Sequence, residues 1–175
     1  MQRQPTLLSS CASAATAAEA RYRITVPSFT RRSSRVIALD GQAAAVVKGL
    51  AEQAWNGGRF FVFESALPDD ALLRRVVAGD AGDAADGPGT GTALLSEELD
   101  GADTVVMIAS AAANATAASV IGDAAADRGI MTAGLVLPGA VPPGGAVSAL
   151  RPNAMVLVVL REVADVPEVL SALRV

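Results

Sequence analysis

The chain has 175 residues, 51% of them hydrophobic, 3% aromatic and 18% charged, with a formal net charge of −4. It has no histidine and one cysteine, Cys11, so a Ser-His-Asp triad, a Cys–His pair, a histidine-bearing zinc site and an intrachain disulfide are all excluded. The length predicts one domain, which we place at residues 21–175 behind a disordered or weakly ordered tail at residues 1–20.

The charge is divided unevenly along the chain. Residues 1–39 hold six arginines against one acid, whereas residues 40–175 hold eight basic and seventeen acidic groups. An acidic body does not suit a phosphate backbone, so we predict no nucleic-acid partner. No apolar run reaches the roughly 20 residues that a membrane-spanning helix needs, so we predict no membrane partner and a cytoplasmic location. The Arg- and Ser-rich first ~35 residues are also typical of an organellar transit peptide, and that alternative stays open.

Short apolar runs mark the strands. They are continuous rather than alternating, which is typical of strands buried on both faces of a parallel sheet. In chain order, the predicted strands are Arg35–Leu39, Arg59–Phe63, Thr104–Ala109, Met131–Leu137 and Met155–Leu160. A further short strand at Tyr22–Val26, ending at Pro27, would add an edge to the sheet.

Helical periodicity fills the gaps between these strands. The predicted helices are Gln42–Trp55, Ala71–Val77, Asn114–Arg128, Val147–Leu150 and Val166–Leu173. Two Gly- and Pro-rich stretches, Gly79–Gly91 and Pro138–Gly145, are predicted loops. The alternation of strands and helices predicts a three-layer, Rossmann-like α/β sandwich with a mostly parallel sheet of about five or six strands.

Candidate ligand residues follow two of the strands. In open α/β sheets, ligands bind at the carboxyl ends of the strands, against helix N-termini. The candidates are Asp40, Gly41 and Gln42 after the first strand, and Ser110, Asn114 and Thr116 after the third. Asn114 and Thr116 either contact an anion or cap the helix that follows. Neither loop is a dinucleotide-binding or phosphate-loop glycine motif.

The sequence offers little for catalysis. No pair of residues has the relation of nucleophile and base, so we predict no catalytic residue, and an enzyme is the least favoured class. Glu64, Asp69 and Asp70 come nearest to a magnesium pattern, but an aspartate that caps a helix at Ala71 explains them more simply. We therefore predict no metal site and no cofactor.

Four short segments occur in a suggestive order. Gly41-Gln42 follows the first strand, Gly101-Ala102-Asp103 leads into the third, Gly129-Ile130-Met131-Thr132 leads into the fourth, and Leu150-Arg151 precedes the fifth. Together they resemble the nucleotide-binding half of the FtsZ/tubulin superfamily over about residues 35–161. The resemblance implies a nucleotide-binding fold of that type, with its phosphate loop after the third strand.

The glycine loop of that family, however, is not kept. Its signature GGGTGTG corresponds here to residues 111–117, where alanine stands at every glycine position and only Thr116 is shared. An alanine methyl keeps the backbone away from phosphate oxygens, and alanine favours continuation of a helix. The resemblance thus implies a degenerate site. The leading hypothesis is a non-catalytic FtsZ/tubulin-like domain that associates with a protein partner or with itself; the alternative is a GTP-binding member of the superfamily.

A second, weaker resemblance is to sugar isomerase (SIS) phosphosugar-binding domains. It rests on Ala51–Phe63 and Val105–Arg128, with Ser65, Ser110 and Thr116 as remnants of a hydroxyl-lined site. It implies a small anionic ligand such as a phosphosugar. For protein association, the predicted contact surface is Asp100 and Asp103 beside the apolar loop Pro138–Val147.

Overall fold

The computed structural model of the protein describes residues 33–77, 91–139 and 142–175. Within them, seven strands form one sheet in the order β4-β3-β2-β1-β5-β6-β7. The strands are β1 (Ser34–Ala38), β2 (Gly58–Ala66), β3 (Ala71–Val76), β4 (Thr92–Leu94), β5 (Thr104–Ala109), β6 (Met131–Val136) and β7 (Val156–Val159). The predicted tail at residues 1–20, the predicted strand Tyr22–Val26 and the predicted loop Gly79–Gly91 (apart from Gly91) lie outside the described residues.

Helices cover both faces of the sheet. On one face pack α1 (Gly41–Ala51) and α5 (Val166–Ala172), the latter preceded by a 3-10 turn at Val163–Asp165; on the other pack α2 (Leu95–Leu99), α3 (Ala115–Asp127) and α4 (Gly144–Leu150). This confirms the predicted three-layer, Rossmann-like α/β class. The described sheet has more strands than predicted, because β3 and β4 were not foreseen.

Five strands of the sheet run parallel, in the spatial order β2-β1-β5-β6-β7. Every residue of β1 and β5 is buried, and Val36 of β1 is in register with Val106 of β5. Strands that are covered on both faces have no side that must be polar, so their sequences are nearly continuous apolar runs. The sequence predicts all five parallel strands to within three residues at either end, including β7, which is an apolar run although it is only partly buried.

The segment Ala71–Val77, predicted as a helix, is instead a strand. Residues Ala71–Val76 form β3, which pairs antiparallel with β2. The chain reverses through Pro68-Asp69-Asp70, where the Leu67 N–H donates to the Asp70 carbonyl oxygen at 2.8 Å, so these residues form a hairpin turn and not the start of a helix. The helix prediction was wrong because a run of six residues is too short to separate helical periodicity from alternation.

Candidate functional site

The candidate ligand residues meet where α1 and α3 begin. β1 has β2 on one side and β5 on the other, so the connections from β1 and from β5 lead in opposite directions across the sheet. In doubly wound sheets this switch point opens a crevice between the loops at the carboxyl ends of the two strands, and ligands bind in it. The structure therefore brings Asp40, Gly41 and Gln42 to the same edge as Ser110, Asn114 and Thr116.

Asp40 joins the two loops. It is the N-cap of α1, where its Oδ1 accepts the Ala43 N–H at 2.9 Å. Its Oδ2 accepts the N–H of Ser110, directly after β5, at 2.7 Å. One carboxylate thus takes a donor from the N-terminus of α1 and a donor from the neighbouring loop, which is how a bound anion is held at a helix N-terminus.

The residues after β5 are also satisfied within the chain. The hydroxyl of Ser110, a buried residue, accepts the Ala112 N–H at 3.3 Å. Asn114 is the N-cap of α3, and its Oδ1 accepts the Ala117 N–H at 3.1 Å. Of the two roles considered for Asn114, anion contact or helix capping, the structure shows capping. That role follows from the residue type, since Asn and Asp side chains are good acceptors for free N–H groups of a first helical turn.

Gly41, Gln42 and Thr116 are exposed on the first turns of the two helices. A Cβ atom added to Gly41 would meet nothing within 4 Å, so no close backbone approach requires a glycine there. Ala117 and the adjacent Ala118 are fully buried in the core beneath α3. The loop thus continues into a packed helix where a phosphate loop would leave its backbone open.

Two of the three carboxylates considered for magnesium, Glu64 and Asp70, are used in other contacts. Glu64 Oε1 lies 2.8 Å from Arg74 Nε across the β2–β3 hairpin. Asp70 accepts hydrogen bonds from the Ser96 N–H and the Ser96 hydroxyl at the start of α2. No group of three acidic, cysteine or histidine side chains among the described residues is placed to hold a metal ion.

The predicted contact surface is not one surface. Asp103 lies just before β5, and its Oδ2 accepts the Ser33 N–H at 2.9 Å. The Asp100 Oδ1 atom lies 3.6 Å from the Arg128 Nε atom. Pro138 lies two residues after Val136, the last residue of β6. Because β5 and β6 are parallel, the two acids lie at one end of the sheet and the loop after β6 lies at the other. The prediction that they lie side by side was wrong.

One polar cluster was missed by the sequence reasoning. Arg35 on β1 is only 3% exposed; its Nε donates to the Glu98 carbonyl oxygen at 2.6 Å and lies 3.3 Å from Glu98 Oε2. Arg59, its register neighbour on β2, contacts the same carboxylate at 3.1 Å. Burial, and then the charge of Arg59, lower the pKa of the Arg35 guanidinium, while Glu98 opposes the shift. The cluster fastens α2 to the sheet, and the only sequence signal for it was an arginine at the head of an apolar strand.

No protein-family model matches the sequence, and no curated protein is significantly similar to it. None of the helices within the described ranges has the length and apolar character needed to cross a membrane.

Proposed function

We propose that this chain is a non-catalytic, Rossmann-like α/β domain, a degenerate counterpart of the FtsZ/tubulin nucleotide-binding half, that acts by protein–protein association. The observation that carries the proposal is the Asp40 carboxylate at the switch point. It accepts the N–H groups of Ala43 and Ser110, which are the donors that a phosphate would need.

A phosphate at this edge would lie beside the Asp40 carboxylate and would compete with it for the same N–H donors. The interaction of two like charges at about 4 Å costs about 1 kcal/mol even in bulk water, and more where water is excluded. The carboxylate would also have to give up both of its hydrogen bonds before an external anion could use them. We therefore expect nucleotides and phosphosugars to bind with dissociation constants of about 1 mM or weaker, which corresponds to about −4 kcal/mol.

The surface of the domain offers apolar contacts instead. An open groove of about 460 Å³ lies between α1 and the segment that follows β7, and its lining includes Ala45, Val46, Gly49, Val163 and Pro167. Its lining carries no charged side chain, and Gln53 is the polar one. Such a surface gains free energy by burying the apolar side chains of another protein and has little to offer an anion.

The alternative function is a small-anion site for a nucleotide or a phosphosugar. The observation in its favour is that two helix N-termini, those of α1 and α3, lie side by side at the switch point. Helix N-termini attract anions through their free N–H groups and their dipoles. Here one N–H group of each first turn, that of Ala43 and that of Ala117, is already taken by Asp40 and by Asn114, and the Asp40 carboxylate is itself an anion; for that reason we prefer association.

Isothermal titration calorimetry of the full chain separates the two functions. The titrants are GTP with Mg²⁺, GDP and glucose 6-phosphate, each up to about 1 mM, where millimolar binding gives little heat. We expect no saturable heat. The matched variant is Asp40→Asn, which keeps the shape of the side chain and removes its charge; weak binding in this variant alone would support the proposal. A micromolar dissociation constant for the wild-type chain would overturn it in favour of the alternative.

A further inference from the structure

Two arginines line a cavity where β2 begins and β3 ends. The cavity has a volume of about 240 Å³, and its lining includes Gln53 and Trp55 after α1, Arg59 of β2, Arg75 of β3, and Val77 just beyond β3. Sites for small-molecule ligands usually have volumes of about 300–1,000 Å³. This cavity therefore has room for one or two side chains and is too small for a nucleotide.

The two arginines lie on the same face of the sheet. Arg75 is in register with Phe61, and Arg59 precedes Phe61 by two positions along β2. Because alternate residues of a strand face the same side, both arginines extend toward the face that α2 covers, where Arg59 contacts Glu98. Trp55 follows α1, which covers the other face. The cavity thus lies at the ends of the strands, where residues of both faces border it.

The charges of these arginines are only partly balanced. Glu98 contacts both Arg35 and Arg59. Arg75 is exposed and makes no ion pair with any carboxylate of the described ranges. Burial, then the charge of Arg59 and more weakly that of Arg75, lower the pKa of the Arg35 guanidinium, whereas Glu98 and Asp103 oppose the shift. The three guanidinium groups are thus close enough to repel one another, and they share one contacting carboxylate.

We infer that this cavity is a docking site for an acidic segment of a partner protein, whose carboxylate side chains contact Arg59 and Arg75. The inference rests on the proposed function and names the chemistry of the partner. A carboxylate suits a guanidinium group because its two oxygens accept two parallel N–H groups. Residues 40–175 hold eight basic and seventeen acidic groups, a net charge of −9. Most of the surface therefore repels an acidic segment, which directs it to this cluster.

A peptide segment fits this place better than a small free anion. Val77 is 52% exposed beside the arginines, so apolar atoms are available for contact next to the charges. A segment that carries both acidic and apolar side chains gains from both kinds of contact. A free phosphate gains only from charge, and ion pairs at an exposed arginine are weak in water and are screened by salt.

Trp55 gives the test a direct readout, because it is the only tryptophan of the chain and it lines the cavity. The probe is a synthetic, end-capped octapeptide of alternating glutamate and valine, titrated into the full chain at low salt while tryptophan fluorescence is recorded. We expect a saturable change with a dissociation constant below about 100 μM, and weaker binding as salt is added. The same peptide with glutamine in place of glutamate should cause no saturable change.

Arg75→Gln tests the site without removing a buried contact. It takes the charge from an exposed side chain, so it should weaken binding of the acidic peptide at least about tenfold and leave the melting temperature unchanged. Arg161→Gln is the matched control, since it removes the same charge from an exposed arginine after β7, at the opposite edge of the sheet, and should bind as the wild type does. A wild-type chain that does not bind the peptide, or equal binding by Arg75→Gln, would overturn the inference.

Two further titrations test other occupants of the cavity. Inorganic phosphate up to about 1 mM should cause no saturable change; binding as tight as that of the peptide would identify a small-anion site and reject the inference. The triple variant Asp80→Asn, Asp83→Asn and Asp86→Asn removes acids that follow Val77 in the sequence and should bind the peptide much as the wild type does. If only the triple variant bound the peptide, the acids of the chain itself would be the partners of these arginines, and the inference would be wrong.

The two proposals fail in different experiments. Failure of the acidic peptide to bind would reject this docking site and leave the proposed function standing. Micromolar binding of GTP or a phosphosugar would reject the proposed function, whatever the result with the peptide.

Discussion

Asp40 is the residue on which the candidate site depends most. Its hydrogen bond to Ser110 joins residues 70 positions apart in the sequence. The sequence predicts that both residues lie in loops after strands, with Asp40 before the helix predicted to begin at Gln42. It does not predict their bond, because that bond exists only if β1 and β5 are neighbours in the sheet, and strand order is not encoded in any local pattern.

The first prediction concerns this side chain. Asp40→Ala removes the cap of α1 and leaves the Ser110 N–H without its partner, so we expect the free energy of unfolding to fall by about 1–2 kcal/mol. Asp40→Asn keeps one acceptor oxygen and should lose less. Gly41→Ala is the control, since its methyl meets no atom and a helix-compatible alanine raises stability by about 0.4–1 kcal/mol. Urea denaturation measures all three; an Asp40→Ala chain as stable as the wild type would contradict this role.

A second prediction at the residue scale concerns Glu98, which neutralises Arg35. Glu98→Ala removes the carboxylate that contacts the buried Arg35 guanidinium and leaves that guanidinium beside Arg59. Breaking a buried ion pair by removing one partner is strongly destabilising, so we expect a loss of about 3 kcal/mol in the free energy of unfolding. Glu97→Ala, an exposed acid on the same helix, is the control and should change stability by less than about 0.5 kcal/mol. Equal effects from the two variants would show that Arg35 does not need its partner.

At the scale of elements, the sequence predicts strands and helices correctly where burial alone determines the hydrophobic pattern. The parallel strands are continuous apolar runs, and α3 is long and amphipathic enough for its helical period to be recognised directly. The β2–β3 hairpin and α2 are different. β3 has six residues and α2 has five, and both are held by contacts with distant residues rather than by local propensity. Short elements of this kind depend on tertiary packing, which a sequence window does not contain.

Asp70 shows how α2 is held in place. Partial burial acts to raise the pKa of its carboxyl, but hydrogen bonds from the Ser96 hydroxyl and from the N–H groups of Ala71 and Ser96 outweigh burial and hold the pKa below its ordinary value. A carboxyl whose pKa is lower in the folded chain stabilises the fold above its unfolded pKa of about 3.9, and this stabilisation is lost as the pH falls through the folded value.

The third prediction follows from the lowered pKa of Asp70 in the folded chain. The difference in the free energy of unfolding between the wild type and Asp70→Asn should be greatest at neutral pH, about 1–2 kcal/mol, and should shrink below about pH 4 as the wild-type carboxyl becomes protonated. Ser96→Ala removes one of the hydrogen bonds and should show a smaller difference with the same pH dependence. Denaturation series at several pH values measure the effect. A difference that stays constant down to about pH 2 would contradict the assignment.

At the scale of the whole molecule, a doubly wound sheet always leaves a crevice at its switch point. Here the Asp40 carboxylate joins the two loops that border the crevice, through hydrogen bonds from the N–H groups of Ala43 and Ser110. Residues 111–117 contain no glycine, and they continue into the buried face of α3. The sequence shows that this loop lacks glycine, but the carboxylate that joins the two loops is visible only in the assembled sheet.

The last prediction separates two obstacles to phosphate binding, the lack of glycine in residues 111–117 and the carboxylate of Asp40. Replacing residues 111–117 by GGGTGTG introduces the glycines of the FtsZ/tubulin signature but leaves Asp40 in place. Ala115 and Ala117 lie within α3, and glycine at each costs about 1 kcal/mol of helix stability. Together with the buried methyl lost at Ala117, this should lower the melting temperature by about 5–10 °C. We expect calorimetry of this variant to show no GTP binding, because Asp40 still holds the donors of Ala43 and Ser110 and still repels the phosphates. If the variant bound GTP with micromolar affinity while Asp40 was present, the missing glycines, and not the carboxylate, would be what closes the site.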